Sequence, residues 1–323
     1  MYSLTSWILT EGMAGTENQC LGVAEALGVN PDIKRVGLRF PWNILPPQVL
    51  KTVSFSFIPD LKPPWPDLLI AAGRKSVPAS LYIKKQSKGK TFTVQLQNPR
   101  IHPGCFDLVA VPHHDSPRGG NVIVTCGAPN RITSEKLKEE GGLFVKTLGA
   151  LPGPKVAVMI GGKSKAYKPD KVWAKNLVTS LESLRRDYGC SLMMTASRRS
   201  GEDVRAVLKA YFTTNTNCFM WDGEGHNPYF AFLAWADFIL VTGDSVSMLS
   251  DACTTGKPVY RLAVPGRGSK RLENFHKHLE NRDACLPFEG MLENRTYTPL
   301  NDSNAVARKI CERFPGLECD PGQ

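Results

Sequence analysis

Short apolar runs alternate with amphipathic stretches along almost the whole chain, and glycine, proline or small polar residues punctuate the junctions. Unbroken apolar runs are the pattern of strands buried on both faces. They predict strands at Ser6 to Thr10, Asp67 to Ala71, Thr91 to Leu96, Leu108 to Val111 and Val122 to Thr125. Further along, Lys155 to Ile160, Ser191 to Ala196, Asn217 to Trp221, Phe238 to Val241 and Val259 to Leu262 read the same way. Between them, apolar positions recur at helical spacing. Helices are predicted from Glu17 to Leu27 (ended by Gly28), from Ser76 through Tyr82, and from Asp170 through Tyr188. Another runs from Pro228 through Trp235 with Asn227 as its cap, and one from Val246 to Cys253 is closed by Gly256 and Pro258. The last two are Lys270 to Leu279 and Asn304 to Phe314. Strand–helix alternation with short loops predicts an α/β chain built on parallel sheets covered on both faces. Residues 148–154 have a linker's composition. The chain therefore divides into a first domain (1–148), a second (155–300), and a terminal helix and tail (301–323) that can pack back on the first.

In parallel sheets the loops at the carboxyl ends of strands carry ligands. Three such loops in the second half suit an anion, and Asn227 is placed with them on the donor side. Gly161 and Gly162 let backbone approach a ligand closely, followed by Lys163. Arg198 follows the next strand, and Asn227 opens a helix. Asp244, Ser245, Val246 and Ser247 stand where a strand gives way to a helix N-terminus, with its orphan amides and positive dipole end. The serines also serve as plain helix caps, so a diphosphate pocket rests on the convergence of the three loops.

In the first half, Gly12 and Gly15 sit three apart in a small-residue loop before Glu17, Asn18 and Gln19. The loop lacks G-x-G-x-x-G and is read as facing a substrate rather than a dinucleotide. Glu17 either stabilises the helix dipole or acts as a general base, desolvated enough for its pKa to approach working pH. Gly73, Arg74, Asn98, Arg100, His113 and Asp115 all fall at strand carboxyl ends and complete this face.

With 323 residues, 42% hydrophobic and 22% charged, the chain is an ordinary globular protein long enough for two cores. A net charge of +10 favours an anionic partner, yet the cations are dispersed and no nucleic-acid motif occurs. No apolar run approaches the roughly 20 residues of a membrane span. The first residues lack a basic leader, so a cytoplasmic protein is expected. Phe40 to Trp65, rich in prolines and apolar residues with two tryptophans, is either a loop over the core or a patch meeting an anionic membrane surface. The nine cysteines form no C-x-x-C pair, which favours reduced thiols, and His113-His114 lacks metal-ligand company. Neither metal nor cofactor is expected.

The runs GTENQCLGVAEALG, AAGR (Ala71 to Arg74), VQLQNPR (Val94 to Arg100) and FDLVAVPHHD (Phe106 to Asp115) resemble the mitochondrial fission "elongated mitochondria" family. So do MIGGKSK, NPYFAFLAWAD and VTGDSVSMLSDACTTGKPVY, and the likeness covers nearly the whole chain in order. The family is in turn similar to GT-B glycosyltransferases of the lipid A disaccharide synthase and MurG kind, which implies two Rossmann-like domains facing a central cleft. That likeness makes Gly161, Gly162, Arg198, Ser245, Val246 and Ser247 donor-diphosphate contacts and puts Glu17 in the place of the base. Asp251 stands where such enzymes carry a Glu for the donor ribose or sugar. Plant members have a longer N-terminal region, so the resemblance implies a bacterial-type member. The implied activity is metal-independent inverting transfer from a nucleotide-diphosphate sugar to an acceptor, lipid-linked at a membrane face. The rival is a non-catalytic adaptor that recruits a dynamin-like protein to a membrane, with the mitochondrial outer surface as its place in a eukaryote. An epimerase or dehydrogenase is the weaker reading, because no dinucleotide fingerprint occurs.

Overall fold

The computed structural model describes residues 4–44, 54–315 and 317. The chain forms two compact units, Met1–Arg131 with Asn301–Gln323, and Ile132–Leu300. The first unit contains β1 (Ser6–Thr10), α1 (Ala14–Ala26), β2 (Asp32–Arg35), β3 (Gly37–Leu38), β4 (Phe57–Ile58), β5 (Leu68–Ala72), α2 (Ser76–Gln86), β6 (Phe92–Leu96), β7 (Leu108–Pro112) and β8 (Val122–Thr125). Its six-stranded sheet has the order β2-β1-β5-β6-β7-β8, parallel throughout. Alternate residues feed two cores, as a strand's period of two requires. Ile8, Leu68, Ile70 and Val94 pack with Cys20 and Val23 of α1 on one face. Trp7, Leu9, Leu69 and Ala71 pack with Phe57 and Ile83 on the other.

The second unit runs α3 (Ser134–Leu143), α4 (Val145–Leu148), β9 (Lys155–Ile160), α5 (Lys171–Tyr188), β10 (Ser191–Ala196), α6 (Glu202–Thr214), β11 (Cys218–Met220), α7 (Tyr229–Trp235), β12 (Phe238–Thr242), α8 (Val246–Thr254), β13 (Val259–Leu262), α9 (Lys270–Glu280) and β14 (Leu286–Pro287). Its parallel sheet, β11-β10-β9-β12-β13-β14, has the dinucleotide-fold order 3-2-1-4-5-6. Strand order reverses between β9 and β12 here and between β1 and β5 in the first unit, which opens a crevice at each carboxyl edge.

The division between units falls after Arg131, where the sequence reading put it at residue 148. The reason is contact: α3 lies on α7, with a Cβ built on Gly141 only 3.1 Å from Ala234 Cβ and the Trp235 indole N–H donating to the Gly141 carbonyl at 2.9 Å. The terminal helix α10 (Asp302–Arg313) belongs to the first unit, where Val306 and Ile310 join the α1 core. The Asp302 carboxylate accepts the N–H groups of Cys126 and Gly127, both at 2.8 Å.

Charged β2 and the two-residue strands were absent from the hydrophobic pattern because edge strands bury little; β2 is mostly exposed. Among the described residues seven cysteines are free thiols, but Cys311 is disulfide-bonded, a departure from the all-reduced expectation. Phe40, Ile44, Phe55 and Ile58 are 75%, 68%, 55% and 52% exposed; residues 45–53 of that patch lie outside the described ones. No helix among the described residues is long and apolar enough to cross a membrane.

Candidate functional site

At the β9/β12 crevice the glycine loop closes on the chain itself. The Gly161 N–H donates to Thr242 Oγ1 at 2.7 Å and the Gly162 N–H to Asp244 Oδ2 at 2.8 Å. The Lys163 N–H donates to the Arg199 carbonyl at 2.8 Å. A Cβ on Gly161 would lie 2.3 Å from the Asp244 carboxylate, and one on Gly162 would lie 2.3 Å from the Arg199 backbone. These glycines are therefore required for packing, and their amides, expected to face a diphosphate, are already spent. Asp244 likewise braces the loop. Its Oδ1 is buried and makes no hydrogen bond among the described residues.

Helix α8 begins beside this brace. Ser245 is its cap, with Oγ accepting the Met248 N–H at 3.4 Å, and Val246 and Ser247 form the first turn. Arg198 is exposed on a one-turn 3₁₀ helix (Arg198–Ser200) after β10, and Ser200 Oγ donates to the Gly161 carbonyl. Lys163 is exposed, its ammonium near Gly201. Lys163, Arg198 and the α8 terminus thus share one edge, with positive charge at the rim and the Asp244 carboxylate behind it. Below them, Tyr167 is buried, its phenol raised by burial and pulled in opposite senses by Arg261 and by Glu273 and Asp244. His276 Nε2 donates to the Gly243 carbonyl at 2.8 Å; burial and Arg261 lower its pKa to about 4, so the ring is neutral.

Asp251 does not stand open for a ribose. Its Oδ2 accepts the Tyr229 hydroxyl at 2.6 Å, and burial raises its pKa to about 7 against the opposing pull of that hydrogen bond. Asn227 is an exposed loop residue whose Oδ1 accepts the Tyr229 N–H at 3.1 Å, so it helps start α7.

At the β1/β5 crevice the Glu17 carboxylate meets the Arg35 guanidinium twice, at 2.8 Å each. That pairing holds Glu17 below its ordinary value although partial burial pushes the other way, the reverse of the shift a neutral-pH base requires. Glu11 Oε1 accepts the Lys75 N–H at 2.9 Å, occupying the start of α2. Gly12 (φ +81°) packs against Arg35, and Gly73 (φ +93°) leaves room for Glu11. Arg74 is exposed. Gly15 and Asn18 lie on the first turns of α1, and the buried Gln19 accepts the Gln97 amide at 3.0 Å. One strand further, Asn98 Oδ1 caps the Arg100 N–H at 2.8 Å in a loop where Gln97 and Arg100 both take left-handed backbone. His113 and Asp115 follow β7, three strand spacings or roughly 14 Å from β1. Asp115 is buried beneath Arg118, which donates to its carbonyl, so this pair does not join the first crevice.

Sequence reasoning missed Arg35, Thr242, Tyr229, Gln97 and His276. Arg35 sits on a strand invisible to a hydrophobicity pattern, while Tyr229 and His276 read as ordinary helix residues.

Two relatives carry the comparison with known proteins. The mitochondrial fission protein ELM1 of Arabidopsis thaliana is 31% identical over 271 residues, 76% of this chain but 63% of that protein. An uncharacterized protein of Rickettsia prowazekii, RP120, is 25% identical over 94% of this chain and 97% of its own length. Among solved structures, the UDP-GlcNAc 2-epimerase of Methanocaldococcus jannaschii superposes with a TM-score of 0.57 at 12% identity, over 95% of this chain and 99% of that one. Acinetobacter baumannii MurG gives 0.50 at 13% identity, over 99% and 96%. These likenesses establish a GT-B-like fold, and because an epimerase shares it, the fold does not discriminate transfer from epimerisation. The family model for mitochondrial fission ELM1 matches residues 14–314, and the chain belongs to that family.

Proposed function

We propose that the second unit binds the diphosphate of a nucleotide sugar at the α8 N-terminus, and that the chain transfers the sugar to an acceptor held by the first unit. One observation carries this reading: a serine-capped helix N-terminus stands at the switch point of a 3-2-1-4-5-6 sheet, with Lys163 and Arg198 on the same edge. Fixed dipoles and cations so placed offset charge as a nucleotide leaves, without a resident metal. Glu17 and Arg35 offer the acceptor a fixed acceptor–donor pair. A lipid-linked acceptor fits the exposed Phe40, Ile44, Phe55 and Ile58, which with the net positive charge favour an anionic membrane face.

A second reading has an observation of its own. Asp244 places a negative charge behind the expected diphosphate site and Glu17 is neutralised by Arg35, as a non-catalytic adaptor of the same fold would tolerate. The discriminating experiment is thermal shift and calorimetry with uridine, guanosine and cytidine diphosphates. A ligand at 100 times its Kd stabilises the native state by about 2.7 kcal/mol. One diphosphate is expected to raise the melting temperature, and Lys163→Ala with Arg198→Ala to weaken it about tenfold, the loss of roughly one charge-assisted contact. No response to any of the three transfers the assignment to the adaptor.

A further inference from the structure

Among the described residues the second unit's sheet ends in an unpaired edge: strand β11 bonds to β10 alone, and alternate residues of a parallel strand address the same neighbour. The Leu192 N–H donates to the Asn217 carbonyl and the Trp221 N–H to the Met194 carbonyl. Odd-numbered residues therefore serve β10, and the main-chain groups of Cys218 and Met220 turn outward. Side chains alternate too: Cys218 and Met220 pack against the core under α6, while Phe219 meets Phe232 of α7 edge-on at 5.8 Å.

A concavity of about 910 Å³ runs along the α6 side of this edge and one of about 630 Å³ along the other, and both are lined by Phe219 to Asp222. Their chemistry differs. Arg205 and Lys209 lie on the α6 side, where cations outnumber acids; Phe144 and Leu143 (62% exposed) lie on the other.

We propose that β11 is a docking edge for an extended peptide segment of a partner protein in which acidic and apolar side chains alternate. A strand laid about 4.8 Å from β11 meets the outward Cys218 and Met220 groups and sends alternate side chains to the two sides. Acidic ones then face Arg205 and Lys209, and apolar ones face Phe144 and Phe219. A second copy of this chain is the poorer occupant, because pairing β11 with itself brings the two cationic sides together. The α6 side shares Arg198 with the proposed diphosphate site, and the test below leaves Arg198 unchanged.

The test is fluorescence anisotropy of the full chain with a labelled peptide of about six residues, the length of an ordinary strand, alternating Glu and Val. Two controls alternate Lys and Val, or carry N-methyl groups on alternate residues of the Glu/Val peptide. The Glu/Val peptide is expected to bind at least about tenfold more tightly than either control, and Arg205→Glu with Lys209→Glu to remove that margin. The N-methyl arm uses the wild-type chain, so it holds even where a variant misfolds. Equal affinity for the three peptides, no binding of any, or a dimer in sedimentation that Met220→Pro dissolves would each overturn the proposal.

Discussion

Asp251 and His276 are two buried ionisable groups with opposite consequences. Asp251 titrates near 7 in the folded chain and near 4 when unfolded. Between those values the folded chain holds a proton that the unfolded one has lost. Its stabilising contribution is complete below about pH 4 and disappears as pH rises through about 7. His276, lowered to about 4, works the other way: its contribution is present above about 6.5 and lost as pH falls through 4. The expected outcome is that melting temperature falls between about pH 5 and 8 in the wild type relative to Asp251→Asn, read by scanning fluorimetry. Parallel curves for the two proteins would show that burial does not hold the proton. Glu17 gives the same lesson in reverse. A helix-opening carboxylate reads as a base in the sequence, and one arginine from a neighbouring strand lowers it instead.

At the scale of elements, α1 shows packing overriding propensity. Gly22 lies inside the helix, where Ala is intrinsically better by about 1 kcal/mol. A Cβ there would stand 2.0 Å from the Asn130 carbonyl oxygen and 3.0 Å from Ser303 Oγ, where the loop after β8 and the start of α10 press on the helix. Overpacking of this kind costs about 1–3 kcal/mol, and the obstacle is backbone, which cannot swing aside. Gly22→Ala is therefore expected to lower the urea midpoint of the full chain although it improves the helix locally. A rise in midpoint would mean that α10 and the loop can retreat. The same contact explains how the terminal helix, distant in sequence, is fastened: Asp302 holds two backbone amides and Ser303 Oγ receives the Asn130 N–H at 2.8 Å.

At the scale of the whole molecule, the proposed membrane contact rests on a net charge of +10 and on four large apolar side chains that are exposed among the described residues between 40 and 58. Either alone gives weak, unspecific adhesion; together they favour an anionic bilayer. Co-sedimentation is expected with phosphatidylserine-containing vesicles and not with neutral ones. It should weaken as salt shortens the screening length to about 10 Å at 0.1 M, and fall severalfold for Phe40→Ser with Phe55→Ser. Equal binding to neutral vesicles would remove the electrostatic half of the account, and an unchanged double variant the apolar half.

Periodicity sufficed for the parallel, doubly covered sheets because a strand buried on both faces must be apolar at every position, and Leu68 to Ala72 or Phe238 to Thr242 can be nothing else. Helix ends with local chemistry were equally legible, as with Ser245 and with Asp170, which caps α5 by accepting the Trp173 N–H at 2.8 Å. The edge strands were not, because a half-exposed strand carries polar residues and two-residue strands carry almost no pattern. Nor could sequence say whose anion a nest would hold. Only three-dimensional proximity put Asp244 on the amides of the Gly161 loop, Arg35 on Glu17 and Tyr229 on Asp251. The chain by itself determines which segments must be buried and where its backbone can turn, since those follow from hydrophobicity and local geometry. Which charges neutralise one another, and where the units divide, depend on contacts between residues far apart in sequence, and those are decided by tertiary structure alone.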